Sequence, residues 1–278
     1  MFKRVIILMH MLTSIPLAAA ANDLTSVMLS KSCINCNFAN GQFPLANLSN
    51  TDLRFVDFSG SNLTNTDFSN ANLHMVEFSK ANLKGANFEG AKIKYNQQQD
   101  NKIKNVDLRG ANFKGSHIDY AFFNESSMSG TNFNNSFLYG VRVRGKFFKS
   151  MNFQNLSLNH KGSPRISTIN LEGIFDNLNF SGSNVVIGWA LGYLNKPNKS
   201  LKITNSNFNN TRLVSSNLSG SIIENTSFRN SNLQQVDFRN SKLVGVDFTG
   251  SDLRGARLEG ASFCETTAPD GTVMYQGC

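Results

Sequence analysis

The stretch Ser61–Phe78, SNLTNTDFSNANLHMVEF, places a large apolar residue at every fifth position: Leu63, Phe68, Leu73 and Phe78. That spacing matches neither the two-residue period of a strand nor the 3.6 of a helix. A fixed short period marks a repeat architecture and governs how the rest of the chain is read.

The same phase runs from Phe38 to Leu158 and misses only at Gln98. A second block runs from Ile203 through Phe208, Leu213 and Leu218 to Phe263. Two residues before most centres stands a small residue, as at Ser61, Thr66, Ala71, Ala81 and Ala86, and Asn or Asp usually falls between the two. Each unit then forms one side of a coil, with its large and its small residue turned inward to fill a narrow core. Coils stacked at ~4.8 Å pair their backbones and align equivalent side chains in ladders. A single coil cannot bury its apolar face, so stability comes from its neighbours.

The pattern A-(N/D)-(L/F)-x-x, as in Ala71-Asn72-Leu73 and Ala86-Asn87-Phe88, resembles the pentapeptide repeat family. The resemblance covers most of the chain after its first residues. It implies an all-β fold, a right-handed quadrilateral β-helix with about 20 residues per coil.

The N-terminus reads differently. Lys3 and Arg4 precede the apolar run VIILMHMLTSIPL and the small residues Ala18–Ala21, the layout of a secretory signal peptide over 1–21. The alternative is an uncleaved anchor, although the run is short for a bilayer span of ~20 residues. Residues 22–36 are expected to form an N-terminal cap, with Asp23 capping a short helix that carries Leu24, Val27 and Met28 on one face. This segment also resembles the leader of exported family members, in which a C-x-x-C precedes the first repeat, here Cys33-Ile34-Asn35-Cys36. The remaining divisions are repeat block 37–160, irregular insertion 161–200, repeat block 201–263 and a C-terminal cap over 264–278. A bacterial periplasmic or extracellular location is expected.

Four cysteines allow three pairings. Roughly nine coils at ~4.8 Å would hold the two ends ~40 Å apart, beyond the reach of a disulfide. The expected pairs are therefore Cys33–Cys36 and Cys264–Cys278, in an oxidising compartment. A redox pair or half a zinc site remain alternatives for the C-x-x-C. The insertion holds VVIGWALGYL with Trp189 and Tyr193, too short a run to span a membrane. It reads either as a packed bridge between the blocks or as an exposed partner-binding loop.

The chain has 27 Lys+Arg against 19 Asp+Glu, a net charge of +8. Counting modulo 20 assigns each residue of the first block to a side. Lys84, Lys104, Arg142 and Arg144 then share the Leu63 side. Arg54, His74, Lys94 and Lys114 form one column on the Leu73 side, while Asp57, Glu77 and Asp119 make the Phe78 side acidic. These basic residues are candidate anion- or partner-binding groups, and equally they suit a solvated face. Residues 126–171 contain no acid but hold Arg142, Arg144, Lys146 and Lys149.

Three functions are weighed. The first is an exported non-enzymatic scaffold, structural or protein-binding, with binding of an anionic envelope polymer or nucleic acid as the alternative. The second follows from the resemblance: some family members imitate DNA and protect gyrase. Mimicry needs an acidic surface, since DNA carries a charge every ~1.7 Å of axis, whereas this chain is basic. The third is a polysaccharide-active enzyme, in which Asp57 and Glu77 would stack one coil apart at the ~5 Å of a retaining glycosidase pair. They would lie on a convex side without a cleft, and His74, His117 and His160 lack ligand or triad spacing. No cofactor, metal or catalytic residue is expected. The partner is an unidentified protein or anionic surface polymer.

Overall fold

The computed structural model describes residues 24–96, 103–156, 167–187 and 201–278. They form an all-β, right-handed β-helix of short parallel strands, preceded by one helix, α1 (Leu24–Ser30). Every side repeats one set of backbone bonds. The central residue donates to the coil above, as Leu63 N–H does to the Asn82 carbonyl at 2.8 Å. The outward residue before it donates to the coil below, as Asn62 does to Gly41 at 2.9 Å. A turn bond from Thr66 N–H to the Leu63 carbonyl at 3.1 Å then bends the chain into the next side.

That bend explains residue preferences at two positions. The residue two after most centres adopts positive φ, for example 54° at Asn65, 56° at Asn70 and 67° at Gly60. Asn and Gly enter this left-handed region at least cost, which is why they recur there. The Asn or Asp before many centres accepts the N–H two residues on, as in Ser69 N–H to Asp67 Oδ1 at 2.9 Å, and so steadies the turn.

The core is one continuous ladder. On the Phe68 side, Phe68, Phe88, Phe113, Phe133, Phe153, Phe180, Phe208, Phe228 and Phe248 stack in order, with ring centroids 4.6–5.4 Å apart and planes within 18°. The column passes through residues 161–200, the stretch expected to be an insertion. Its described part builds the solenoid: Val143 pairs with Leu171, Phe148 with Phe175, and Phe175 with Ile203. Ile169, Leu171, Phe175, Phe180 and Val185 are all buried. The five-residue phase is lost because these coils are longer, with sequence offsets of 27 and 28 between stacked positions.

An earlier offset rearranges the faces. Asn82 pairs with Asp107 and Asn87 with Asn112, 25 residues on, whereas the coils before and after advance by 20. The unit centred on Gln98 lies outside the described residues, and the chain rejoins with Lys104 bonded above Lys80. Every later residue of the block therefore sits one side away from its modulo-20 assignment. Tyr95 fills the core at this point, and its hydroxyl donates to the Val76 carbonyl at 2.9 Å.

The ends are closed by different devices. Val27 of α1 is buried and Leu24 packs beside it against the first coils. At the far end, Thr266–Thr267 pairs antiparallel with Val273–Met274, and Phe263 N–H donates to the Gln276 carbonyl at 2.6 Å.

Truncating a ring inside the column removes a stacking partner from two coils at once. Phe153→Ala is expected to lower unfolding stability by ~3–5 kcal/mol, read from the urea midpoint at unchanged slope.

Candidate functional site

On each side the residues before and after the centre share an outward face, so much of the surface chemistry is written in i, i+2 pairs. The predicted column on the Leu73 side keeps three of its four members. Asp52 bridges to Asn72, and His74 pairs with Lys94, which stacks Arg54, His74 and Lys94 in order. The next residue up is Asp119, because Lys94 pairs with it in the shifted register. Lys114 instead lies on the Phe68 side and pairs with Glu89 at 3.2 Å. The Phe78 side is correspondingly not acidic throughout. Asp119 has left it, and Lys104 and Arg144 have joined it, both in register with Asn124. Arg142 joins with them, its guanidinium 4.8 Å from the centre of the Phe122 ring. Lys84 stays on the Leu63 side, above Thr64 and below Arg109. Trp189 and Tyr193 lie outside the described residues.

Much of the positive charge is neutralised locally. Arg54 grips Asp52 through Nε and Nη2 at 2.9 and 2.8 Å. Arg109 with Asp107, Arg239 with Asp237 and Arg254 with Asp252 repeat the same bidentate grip. The signal for this was in the sequence as D-L-R or D-F-R, since i and i+2 share a face on an extended side. The hydrogen bond from Arg109 holds the Asp107 carboxyl below the usual carboxylate range, outweighing burial. Such exposed pairs add little to stability, so their main effect is on the surface field. The acid-free run 126–171 is likewise answered from the coil above, where Glu172 pairs with Arg144 at 3.4 Å.

Lys92, Lys94 and His74 differ. Neither lysine forms an ion pair with a described residue, and both are exposed. The His74 ring packs edge-on to Phe55 at 5.4 Å. Burial, then Lys94 and Arg54, push its pKa below the ordinary histidine value.

Asp57 and Glu77 do bridge one coil apart. Each carboxylate accepts a backbone N–H, from Ser59 at 2.8 Å and Ser79 at 2.9 Å, which identifies them as turn-stabilising groups. Among the described residues no group of three or more His, Cys, Asp or Glu is placed to hold a metal ion, and no helix is long and apolar enough to cross a membrane.

Both local cysteine pairs are bonded. Cys33–Cys36 spans a Cα separation of 5.7 Å, with Cys33 buried at a central position beneath Leu53 and Cys36 at the small position beneath Val56. Cys264–Cys278, at 4.8 Å, ties the C-terminal hairpin to the last coil.

The sequence matches the family model described as Pentapeptide repeat region over residues 31–108 and 199–267, and Pentapeptide repeats (8 copies) over 107–145. The chain belongs to the pentapeptide repeat family. No curated protein matches it. Among solved structures it is similar to HetL, a pentapeptide repeat protein involved in heterocyst differentiation regulation from the cyanobacterium Nostoc sp. strain PCC 7120. That pair shares 18% identity over 91% of this chain and 99% of HetL, with a TM-score of 0.39. Rfr23 from the cyanobacterium Cyanothece 51142 is 19% identical over 42% of this chain and 90% of its own, at a TM-score of 0.24. Full-length QnrB1, a plasmid-mediated fluoroquinolone resistance protein, is 17% identical over 83% and 90%, at 0.25.

A depressed histidine pKa has a defined stability consequence. The unfolded chain takes up a proton near pH ~6.5 and the folded chain only below that. Stability is therefore held above this value and lost as pH falls through the window beneath it. An NMR titration of His74 is expected to give a midpoint below ~6.5, moving upward in Lys94→Gln.

Proposed function

We propose that this protein is an exported, non-enzymatic scaffold that presents a stiff, laddered surface to a partner protein. The observation that carries the reading is the pair of disulfides, one closing each end of the rod. Such bonds persist in oxidising compartments and are rare in a reducing cytosol, which agrees with the leader-like N-terminus. The stacked core suits a fixed spacing between surface groups. The outward carboxylates engaged by arginines or backbone N–H groups leave little chemistry for catalysis and little free acid for mimicry of DNA.

The exposed Lys92 and Lys94 beside His74 favour a second reading, capture of an anionic envelope polymer. Protonating His74 against these neighbours is unfavourable, and a bound polyanion would relieve that cost. Under this reading Lys92→Gln with Lys94→Gln elutes from a heparin column at distinctly lower salt than the parent. Unchanged elution removes the reading.

Export is tested by the intact mass of the protein taken from its own cells, before and after reduction. A mass starting at Ala21 or Asn22 that gains four hydrogens is expected, two for each disulfide. A full-length or already reduced protein overturns the compartment. Cys264→Ser opens a link spanning 14 residues and is expected to cost ~3 kcal/mol, confined to the last coils.

A further inference from the structure

Large apolar side chains stand out to solvent at the N-terminal end: Met28 (37% exposed), Leu29 (83%), Ile34 (44%), Leu45 (75%) and Phe55 (48%). Two of them also sit in an unfavourable backbone region. Leu45 has φ 62° and Phe55 φ 61°, at corners where the chain elsewhere mostly uses Asn or Gly. A bulky L-residue is strained there, because its Cβ crowds the following carbonyl. Met75 shares that conformation but is buried, so it gains packing in return. Leu45 and Phe55 carry both the backbone cost and the exposure, and the edge-on contact with His74 still leaves Phe55 48% exposed. Strain combined with exposure points to a surface used in binding.

Their placement selects the partner. Leu45 lies at the corner between the sides of Phe43 and Leu48, and Phe55 at the corner between the sides of Leu53 and Phe58. These corners are diagonally opposite, so no flat surface lying along the rod touches both. A surface perpendicular to the axis meets both, together with Leu29 of α1 and Ile34. Ile34, Leu45 and Phe55 lie within the first two coils, a depth of ~10 Å, comparable to the ~5–10 Å to which interfacial groups enter a bilayer, and Leu29 lies on the cap helix before them. Lys31 forms no ion pair with a described residue and donates to the Ser49 carbonyl, while Arg54 is held by Asp52.

We infer that the N-terminal end of the solenoid seats on a lipid surface with the helix axis upright, inserting Leu29, Ile34, Leu45 and Phe55 at the headgroup boundary. Contact of this kind requires neither retention nor cleavage of the leader, so it stands or falls separately from export.

The protein purified in the form its cells contain is floated with vesicles of phosphatidylethanolamine and phosphatidylglycerol, at low and at high salt. Flotation is expected to survive high salt, because apolar insertion rather than charge drives it. Leu45→Asn and Phe55→Asn should each lower the partition coefficient about tenfold and the pair more, since each removes one large buried side chain from the lipid contact. Asn is at home at this corner, as at Asn65 and Asn70, so the thermal midpoint should hold or rise. Leu29→Ser, a change on the cap helix, should show the same loss. Ile222→Thr, exposed on the Leu63 side far from this end, should not. A parent protein that stays with the pellet, or a double variant that floats like it, overturns the proposal. A loss confined to only one of the two corners overturns the upright orientation.

Discussion

Parallel backbone pairing sets the height of each coil at ~4.8 Å, and everything inside the solenoid must fit that height. A phenyl ring lying face-on to its neighbour does so with little adjustment. The centroid spacings of 4.6–5.4 Å along the Phe68 column are the coil spacing seen through the side chains. Adjacent sides then meet edge-to-face, as Phe58 meets Phe68 at 5.9 Å, which is the other arrangement the ring quadrupole favours. Small residues two before each centre keep this core from overfilling. The amide ladder outside obeys the same height, with Asn87 donating to Asp67 at 3.0 Å and Asn112 to Asn87 at 3.1 Å.

A core this regular confines chemical variety to the outside. The outward positions flanking each centre, on convex strands, supply ladders and i, i+2 pairs but no concavity. The sequence nevertheless adjusts charge finely. Arginines sit two residues after aspartates and fold back on them, and Glu172 and Asp176 are delivered beside Arg144 and Lys149 by register. A net positive chain thereby presents less free charge than its composition indicates.

Most of the architecture was legible because the five-residue period is enforced by every coil. The centres, the small positions and both disulfide pairs are local facts of the sequence. Side assignment is not. Five extra residues leave the period in phase, so the unit at Gln98 showed only as one missing apolar centre while every later residue of the block moved round by one side. That shift sent Lys114 to Glu89, moved Asp119 beneath Tyr139, and carried Lys104 and Arg144 to the side of Phe78. The longer coils near Phe175 hid for the opposite reason: they keep the stack and lose the period. The corners could have been read, since Asn and Gly recur two after the centres. Against that background Leu45 and Phe55 stand out as exceptions only once the left-handed geometry is known.

In a solenoid each interior coil has two neighbours and each end coil has one. Ends therefore carry the weakest backbone pairing and the greatest exposure of core, and special devices gather there for a physical reason. Cys33 and Cys36 place a covalent link across the first corner, where an interior coil would rely on packing from below. The C-terminal hairpin and Cys278 do the equivalent over Phe263, while Leu253 and Leu258 of the last coil remain only partly covered. Interior coils keep one stack, even where a coil lengthens, because each answers the same constraint. The ends answer a different one, and there the chain adds devices the repeat lacks: a cap helix, two disulfides and apolar side chains set at strained corners.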